Sequence, residues 1–172
     1  ALHPRKNIVN LLKAFIAFKK RQRSNMKLEI VGRYAWKYEE VIEMREEMPF
    51  KDDVKWVGCK HVDQLSKVIG GAYALVYPSL FEGFGIPILE ALKCEVPAIV
   101  SNTSAMPEVA GDAGLLVDPT DVQDIAAKME MLHKDETLRK KLIEASKEQV
   151  KKFSWDQSAD RLWDCLMKCV GK

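Results

Sequence analysis

Apolar residues in this chain recur every three or four positions in some stretches and cluster in short runs in others. Ile8, Leu11, Leu12, Phe15 and Phe18 share one helical face, which predicts an amphipathic helix over residues 7–23. Lys27–Val31 reads as a strand stopped by Gly32. Trp36–Glu47 reads as a polar helix with Val41 and Met44 on one side, joined there by Met48. Val54–Val57 is a short strand, again closed by a glycine, and Asp63 is placed to cap a short helix reaching Ile69. The pattern then predicts a strand over 72–77, a helix over 85–93, a strand over 97–101, a short helix from about Ser104 and a strand over 114–117. The last third is helical. Asp121 caps a helix with Val122, Ile125, Ala126, Met129 and Leu132 on one face, and a second helix carries Leu138, Leu142 and Ala145. Ser154-Trp-Asp-Gln157 matches a capping box. The helix it starts aligns Trp155, Ala159, Leu162, Trp163 and Leu166, and both tryptophans are read as core.

Helix and strand in regular alternation, joined by glycine- or proline-marked turns, predict the α/β class: a doubly wound parallel sheet with helices on both faces. One domain over residues 1–172 accounts for the length, with the helices of about 121–170 packing on it. One strand is missing from the alternation. The first helix follows a loop, Ala1-Leu-His-Pro-Arg-Lys-Asn7, where a repeating domain of this kind carries a strand, so the first strand is expected to lie outside the chain.

A hydrophobic content of 47% is enough for a proper core. With 27 basic and 25 acidic residues the net charge is +2, which gives no electrostatic reason to expect nucleic acid or an anionic membrane as the main partner. No apolar run approaches the roughly 18 residues of a membrane span. The cysteines at 59, 94, 165 and 169 and the histidines at 3, 61 and 133 meet no zinc-ligand spacing. Reduced thiols and no metal are the expectation.

The stretch richest in chemistry is Glu82-Gly-Phe-Gly-Ile-Pro-Ile-Leu-Glu90. A strand feeds into it, Pro78-Ser79 breaks that strand, and Gly83 and Gly85 bring backbone N–H groups to an open surface. A helix starting near Gly85 adds its positive end, which suits a phosphorylated or hydroxyl-rich ligand. Both carboxylates can accept hydrogen bonds from sugar or ribose hydroxyls. The stretch also lies at the carboxyl end of a strand, where open α/β sheets bind ligands. A strand–GxGxxG–helix unit is absent, so a dinucleotide-binding oxidoreductase is set aside.

From end to end the residues resemble a known family. The matching pieces are His3-Pro-Arg-Lys-Asn7, Leu28-Glu-Ile-Val-Gly32, Val57-Gly58 and Tyr77-Pro-Ser-Leu-Phe-Glu-Gly-Phe-Gly-Ile-Pro-Ile-Leu-Glu-Ala91. They continue with Val96-Pro97, Ser101-Asn102, Pro107-Glu108, Gly111-Asp-Ala-Gly114, Val117-Asp-Pro119 and Phe153-Ser-Trp155. Together they resemble the C-terminal, nucleotide-sugar-binding domain of retaining glycosyltransferases with the two-domain GT-B fold, mannosyltransferase-like members included.

The resemblance implies a role for each matching position. Glu82 would hold hydroxyls of the donor sugar, helped by the amides of Gly83, Phe84 and Gly85. Glu90 would take the ribose hydroxyls, and Lys6 the phosphates. Arg5 stands beside Lys6, but many members carry an arginine a few residues earlier, at Ala1 or off this chain. Either Arg5 replaces it, or the site relies on Lys6 and helix N-termini. Taken alone, Glu90 also fits an exposed helical residue, Glu82 a turn cap, Lys6 a solvated helix-start lysine and Glu108 a helix-dipole partner. Tyr34, Trp36 and Tyr38 fit packing better than contact with a nucleobase.

The resemblance also implies a mechanism. Fixed cations and N–H dipoles would stabilise the charge that grows on a departing nucleoside diphosphate. The acceptor would attack from the leaving-group side, so Glu82 and Glu90 are not a glycosidase acid and nucleophile. The implied substrate is a nucleoside diphosphate sugar, GDP-mannose first, with no further cofactor. A glycan or lipid-linked acceptor of polysaccharide biosynthesis would bind through an N-terminal domain outside this chain, toward which the last helix would return, leaving part of its apolar face exposed here. The chain alone is expected to bind donor and transfer nothing. The implied location is cytoplasmic, with room for peripheral association of the full-length enzyme at the inner membrane face. The competing reading is a non-catalytic sensing or assembly module of the same fold.

Overall fold

Helix and strand alternate through the first two thirds of the chain in the computed structural model, which describes residues 2–171. The order is α1 (Ile8–Gln22), β1 (Leu28–Val31), α2 (Glu39–Glu47), β2 (Val54–Gly58), α3 (Val62–Gly70), β3 (Leu75–Tyr77), α4 (Ile86–Lys93), β4 (Ala98–Ser101), α5 (Met106–Ala110) and β5 (Gly114–Val117). Three helices follow: α6 (Val122–Lys134), α7 (Glu136–Gln149) and α8 (Trp155–Val170).

Every strand pairing is parallel, as the alternation predicts. β4 is the middle of the order β3-β4-β5, and all four of its residues are buried. Its unbroken apolar run is what a parallel strand covered on both faces requires. Successive side chains leave it in opposite directions. Ala98 and Val100 pack with Ile88, Leu92 and Met106 of α4 and α5. Ile99 packs on the other side with Ala14 of α1, Ile125 of α6 and Leu142 of α7. Helices therefore cover both faces.

Hydrogen bonding divides the strands into two blocks, β1-β2 and β3-β4-β5, where one continuous sheet was expected. β1 and β3 each have a strand partner on one side only among the described residues. A cavity of about 710 Å³ is lined by both, together with Leu11, Phe15 and Val68. Leu2 also lines it, pairs in parallel with Tyr34 just beyond β1 and donates its N–H to the Arg33 carbonyl at 2.8 Å.

Element ends differ where polar side chains decide them. Asp121 accepts from the N–H groups of Gln123 and Asp124, and Ser154 from that of Gln157, as expected. Asp63 is not a cap. α3 starts one residue earlier, behind His61, and Asp63 sits in its first turn, where its charge still favours the helix dipole. α2 begins at Glu39 because Trp36 and Lys37 form a turn in which Lys37 has a φ of 56°. Tyr34 stacks on Trp56 at 5.0 Å, in keeping with packing.

α8 exposes its apolar face, as its expected return to another domain implies, but the core reading of its tryptophans does not hold. Its apolar stripe exists, but Trp155 is 86% exposed and Trp163 63%, and no residue of the helix is buried. The tryptophans are surface residues in this chain. Periodicity reports which residues share a face, not what that face meets. Leu92→Ala, which opens a hole between α4 and β4, is expected to cost about 2–5 kcal/mol of unfolding free energy in urea titrations. Leu162→Ala on α8 is expected to change it by less than about 0.5 kcal/mol.

Candidate functional site

β3 carries its last paired residue, Tyr77, to the carboxyl edge of the sheet, where it faces Val100 of β4. Pro78-Ser79 then turns the chain, and Ser101 donates its hydroxyl to the Ser79 carbonyl at 2.6 Å. Gly85 ends the loop with a φ of 98°, a backbone conformation open to glycine at little cost, and α4 starts behind it. The same edge receives the segment before α1. There Pro4–Lys6 forms a single tight helical turn, and Asn7, at φ 57°, redirects the chain into α1. The Asn7 amide donates to the carbonyls of Pro78 at 2.9 Å and Pro119 at 2.6 Å, and the Leu80 N–H donates to the Arg5 carbonyl at 2.8 Å. These bonds clamp the two loops together.

The clamp assembles a charge cluster across more than seventy positions of sequence. Arg5 Nη1 lies 2.5 Å from Glu82 Oε2, and Lys6 Nζ lies 2.6 Å from Glu82 Oε1. Tyr77 donates its hydroxyl to Glu82 Oε1 at 2.9 Å and accepts a hydrogen bond from Lys6. The Glu82 N–H is held by the Ser104 hydroxyl at 3.0 Å. Burial alone raises the Glu82 carboxyl. The hydrogen bonds from Lys6, Arg5 and Tyr77 outweigh it and keep the group below the usual carboxylate range. Burial, followed by the hydrogen bond and charge of Glu82, pushes the Tyr77 phenol up, so it stays protonated and able to donate.

Arg5, Lys6 and Glu82 are thus brought together directly. Gly83 and Phe84 follow on the exposed part of the loop, and Phe84 meets Phe153 edge-on at 5.5 Å. The N–H groups of Gly83, Phe84 and Gly85 donate to no other described residue; Gly83 and Phe84 are exposed near the start of α4, and Gly85 is buried behind them. Glu90 stays out of the cluster. It lies further along α4, half-buried, and lines the cavity that Lys6 and Tyr77 also reach. Among the described residues no group of three or more His, Cys, Asp or Glu is arranged to hold a metal ion, and no helix is long and apolar enough to cross a membrane.

Tyr77, Ser104 and Asn7 belong to the site yet were not singled out by sequence. The signal available for Tyr77 was its place as the last strand residue before the turn, with a polar tip at the ligand-facing edge. Ser104 carried no local signal, because its link to Glu82 exists only through β4.

Chemically, the arrangement offers two cations, a row of unengaged amides, a phenol and two carboxylates at one sheet edge. That set can receive an anion and a hydroxyl-bearing group side by side.

Residues 1–149 match the family described as Glycosyl transferases group 1. The O-antigen chain mannosyltransferase B of Escherichia coli is 36% identical over 155 residues, which cover 90% of this chain and 41% of that protein. The chain therefore spans about two fifths of that relative's length. Among solved structures, a sucrose-phosphate synthase from Thermosynechococcus elongatus superposes with a TM-score of 0.86 at 24% identity, over 98% of this chain and 43% of that one. HepE from Anabaena, solved in complex with UDP and glucose, superposes with a TM-score of 0.84 at 18% identity, over 97% and 46%. These neighbours carry the fold: it is that of the C-terminal domains of GT-B glycosyltransferases.

Two predictions follow from the loop and its charge. A Cβ on Gly83 would meet nothing within 4 Å, whereas one on Gly85 would lie 3.0 Å from Ile88 Cδ1 on a backbone with positive φ. Gly83→Ala is expected to leave unfolding free energy within about 0.5 kcal/mol, and Gly85→Ala to lower it by more than about 1 kcal/mol in the same titration. Glu82 has a folded-state carboxyl held lower than its unfolded one, so its contribution is present above the ordinary value of 4.5 and fades as pH falls through the folded value. The stability difference between wild type and Glu82→Gln should therefore shrink between neutral pH and about pH 3. A difference that is flat with pH would contradict the ion cluster.

Proposed function

Because the chain belongs to the Glycosyl transferases group 1 family, we propose that it is the donor-binding part of a retaining hexosyltransferase. It takes a nucleoside diphosphate sugar, with GDP-mannose as the first candidate, for transfer to a glycan or lipid-linked acceptor in polysaccharide biosynthesis. The observation that carries this reading is the Arg5–Lys6–Tyr77–Glu82 cluster beside the unengaged amides of Gly83, Phe84 and Gly85. The cations and amides meet the diphosphate. Glu82, and through it the hydroxyl-accepting edge of the loop, meets the sugar. Glu90 lies along the same helix at a place suited to the ribose hydroxyls. The similarity to a mannosyltransferase supports mannose, and the UDP complex of HepE supports a nucleoside diphosphate in this fold.

The division of labour in the reaction follows from where charge develops. As the glycosidic bond to phosphate breaks, negative charge builds on the diphosphate and positive charge on the sugar ring. Lys6 and Arg5 stabilise the first, and amides already oriented by the α4 start add to it without reorganising. Glu82 orients the sugar through its hydroxyls. We assign donor recognition to these 172 residues and the acceptor's selection to a further domain, so the chain by itself binds and does not transfer.

Calorimetry with GDP-mannose, UDP-glucose and their free nucleoside diphosphates tests the reading. One nucleotide series should bind, and Glu90→Ala should weaken it by about 1 kcal/mol or more through loss of a charge-assisted hydrogen bond. Binding of neither series, or an unchanged affinity after Glu90→Ala, overturns the assignment. Sugar transfer by the purified chain would overturn the division of labour.

A further inference from the structure

The Glu82 carboxylate is crowded. A carboxylate has about four acceptor positions, and three of those on Glu82 are taken by Arg5, Lys6 and Tyr77. Its side chain is 9% exposed, against 40% for Arg5 and 18% for Lys6. A sugar presenting two vicinal hydroxyls would find a single free position. Both cations are engaged by Glu82, although both retain unused N–H donors and Arg5 is open to solvent. While Glu82 serves both cations it has one acceptor position left for a sugar, and a phosphate that takes the cations fully competes with Glu82 for them.

We propose that the site works by exchange of partners, with Tyr77 as the positioning residue: a diphosphate draws Lys6 and Arg5 off Glu82, and the Tyr77 hydroxyl keeps the freed carboxylate aimed at the sugar. This rests on the donor-site reading above and assigns an order to it. Tyr77 suits the task for three reasons. It is anchored at the end of β3 by pairing with Val100, so its ring does not follow the cations. It is neutral, so a phosphate does not compete for it as it competes for an ammonium or guanidinium. It touches both Lys6 and Glu82, with the Lys6 ammonium 4.8 Å from its ring centroid, so Lys6 can turn toward a phosphate without leaving the phenol. Ser104 holds the Glu82 backbone in place meanwhile.

The consequence is positive coupling between the phosphate and sugar halves of the donor. Linkage makes the coupling reciprocal: whatever factor a diphosphate adds to sugar affinity, the sugar adds to diphosphate affinity. Free sugar meets a carboxylate closed by its own salt bridges, and a free diphosphate must break those bridges unaided.

The two halves can be supplied separately. The 172-residue protein is titrated by ligand-observed NMR with 1,5-anhydromannitol and 1,5-anhydroglucitol, which keep the ring hydroxyls but leave the phosphate position empty. Each titration is run alone and with saturating GDP or UDP. The expected result is a sugar affinity raised about fivefold or more by the nucleoside diphosphate that binds. In Tyr77→Phe that enhancement should fall below about twofold. A variant that had only loosened the fold would lower both separate affinities and leave their ratio alone, so the ratio is the quantity to read. If a diphosphate binds and the wild-type sugar affinity does not rise, the exchange is overturned while the donor site stands. If the enhancement is equal in wild type and Tyr77→Phe, the role of Tyr77 is overturned. If no diphosphate binds, both the exchange and the donor-site reading fail. The wild-type arm decides the exchange even if the variant does not fold.

Discussion

One buried side-chain amide holds the site together. Asn7 bonds with its nitrogen to the carbonyls that follow β3 and β5, and its left-handed backbone sends the chain into α1 at the same point. Each such bond contributes only about 0.5–1.5 kcal/mol net. Its importance is geometric. Together with the bond from the Leu80 N–H to the Arg5 carbonyl it fixes the Pro4–Lys6 turn against the Glu82 loop; unclamped, the Arg5 and Lys6 cations would be two solvated charges. Surface ion pairs that must order both partners contribute little. A pair whose backbones are already clamped, with the carboxylate buried, loses far less entropy on forming. The clamp turns a weak class of interaction into a defined cluster.

Much of the scaffold was legible because it obeys local rules. The 3.6-residue stripes of α1 and α6, the Asp121 and Ser154 caps and the apolar run of β4 each follow from neighbours in sequence. The candidate loop was equally legible, since Gly85 needs its positive φ for reasons contained in a few residues. What escaped was non-local. That Lys6 would contact Glu82 rather than stand free depends on a crossing of seventy-six positions, and Tyr77's role depends on that contact. The division of the strands into two blocks escaped for the same reason: a strand's own sequence does not state which edge is paired. Trp155 and Trp163 of α8 show the converse error, a correct local pattern read as burial when none of the described residues covers it.

The cluster also explains how the loop and the helix behind it hold two carboxylates of different character, Glu82 before α4 and Glu90 within it. Glu82 is ionised by its partners despite burial, and its charge is balanced before any ligand arrives. Glu90 lies further along α4, outside the ion cluster and free of described partners, on the wall of the cavity. A carboxylate already neutralised by cations is poorly suited to nucleophilic or general-base work, because those cations stabilise its resting charge. It is well suited to accepting hydroxyl hydrogens once an anion has claimed the cations. The cations that hold Glu82 make it a poor resting nucleophile, which agrees with the proposed binding role for it.

The same logic separates recognition from reaction. On the proposed reading the cations at the carboxyl edge of β3 fix an anion, Glu82 accepts a hydroxyl and Tyr77 positions Glu82, and among the described residues the cluster contains no further base. The phenol of Tyr77 is pushed toward its protonated form, and Lys6 donates to both that phenol and the Glu82 carboxylate. A transfer reaction needs an acceptor oxygen placed within reach of the anomeric carbon and a route for its proton. The leaving diphosphate supplies such a route, since its oxygens gain negative charge as the bond breaks. Under the proposed function, the protein's contribution would be electrostatic preorganisation around the leaving group, and the leaving diphosphate would take the acceptor's proton.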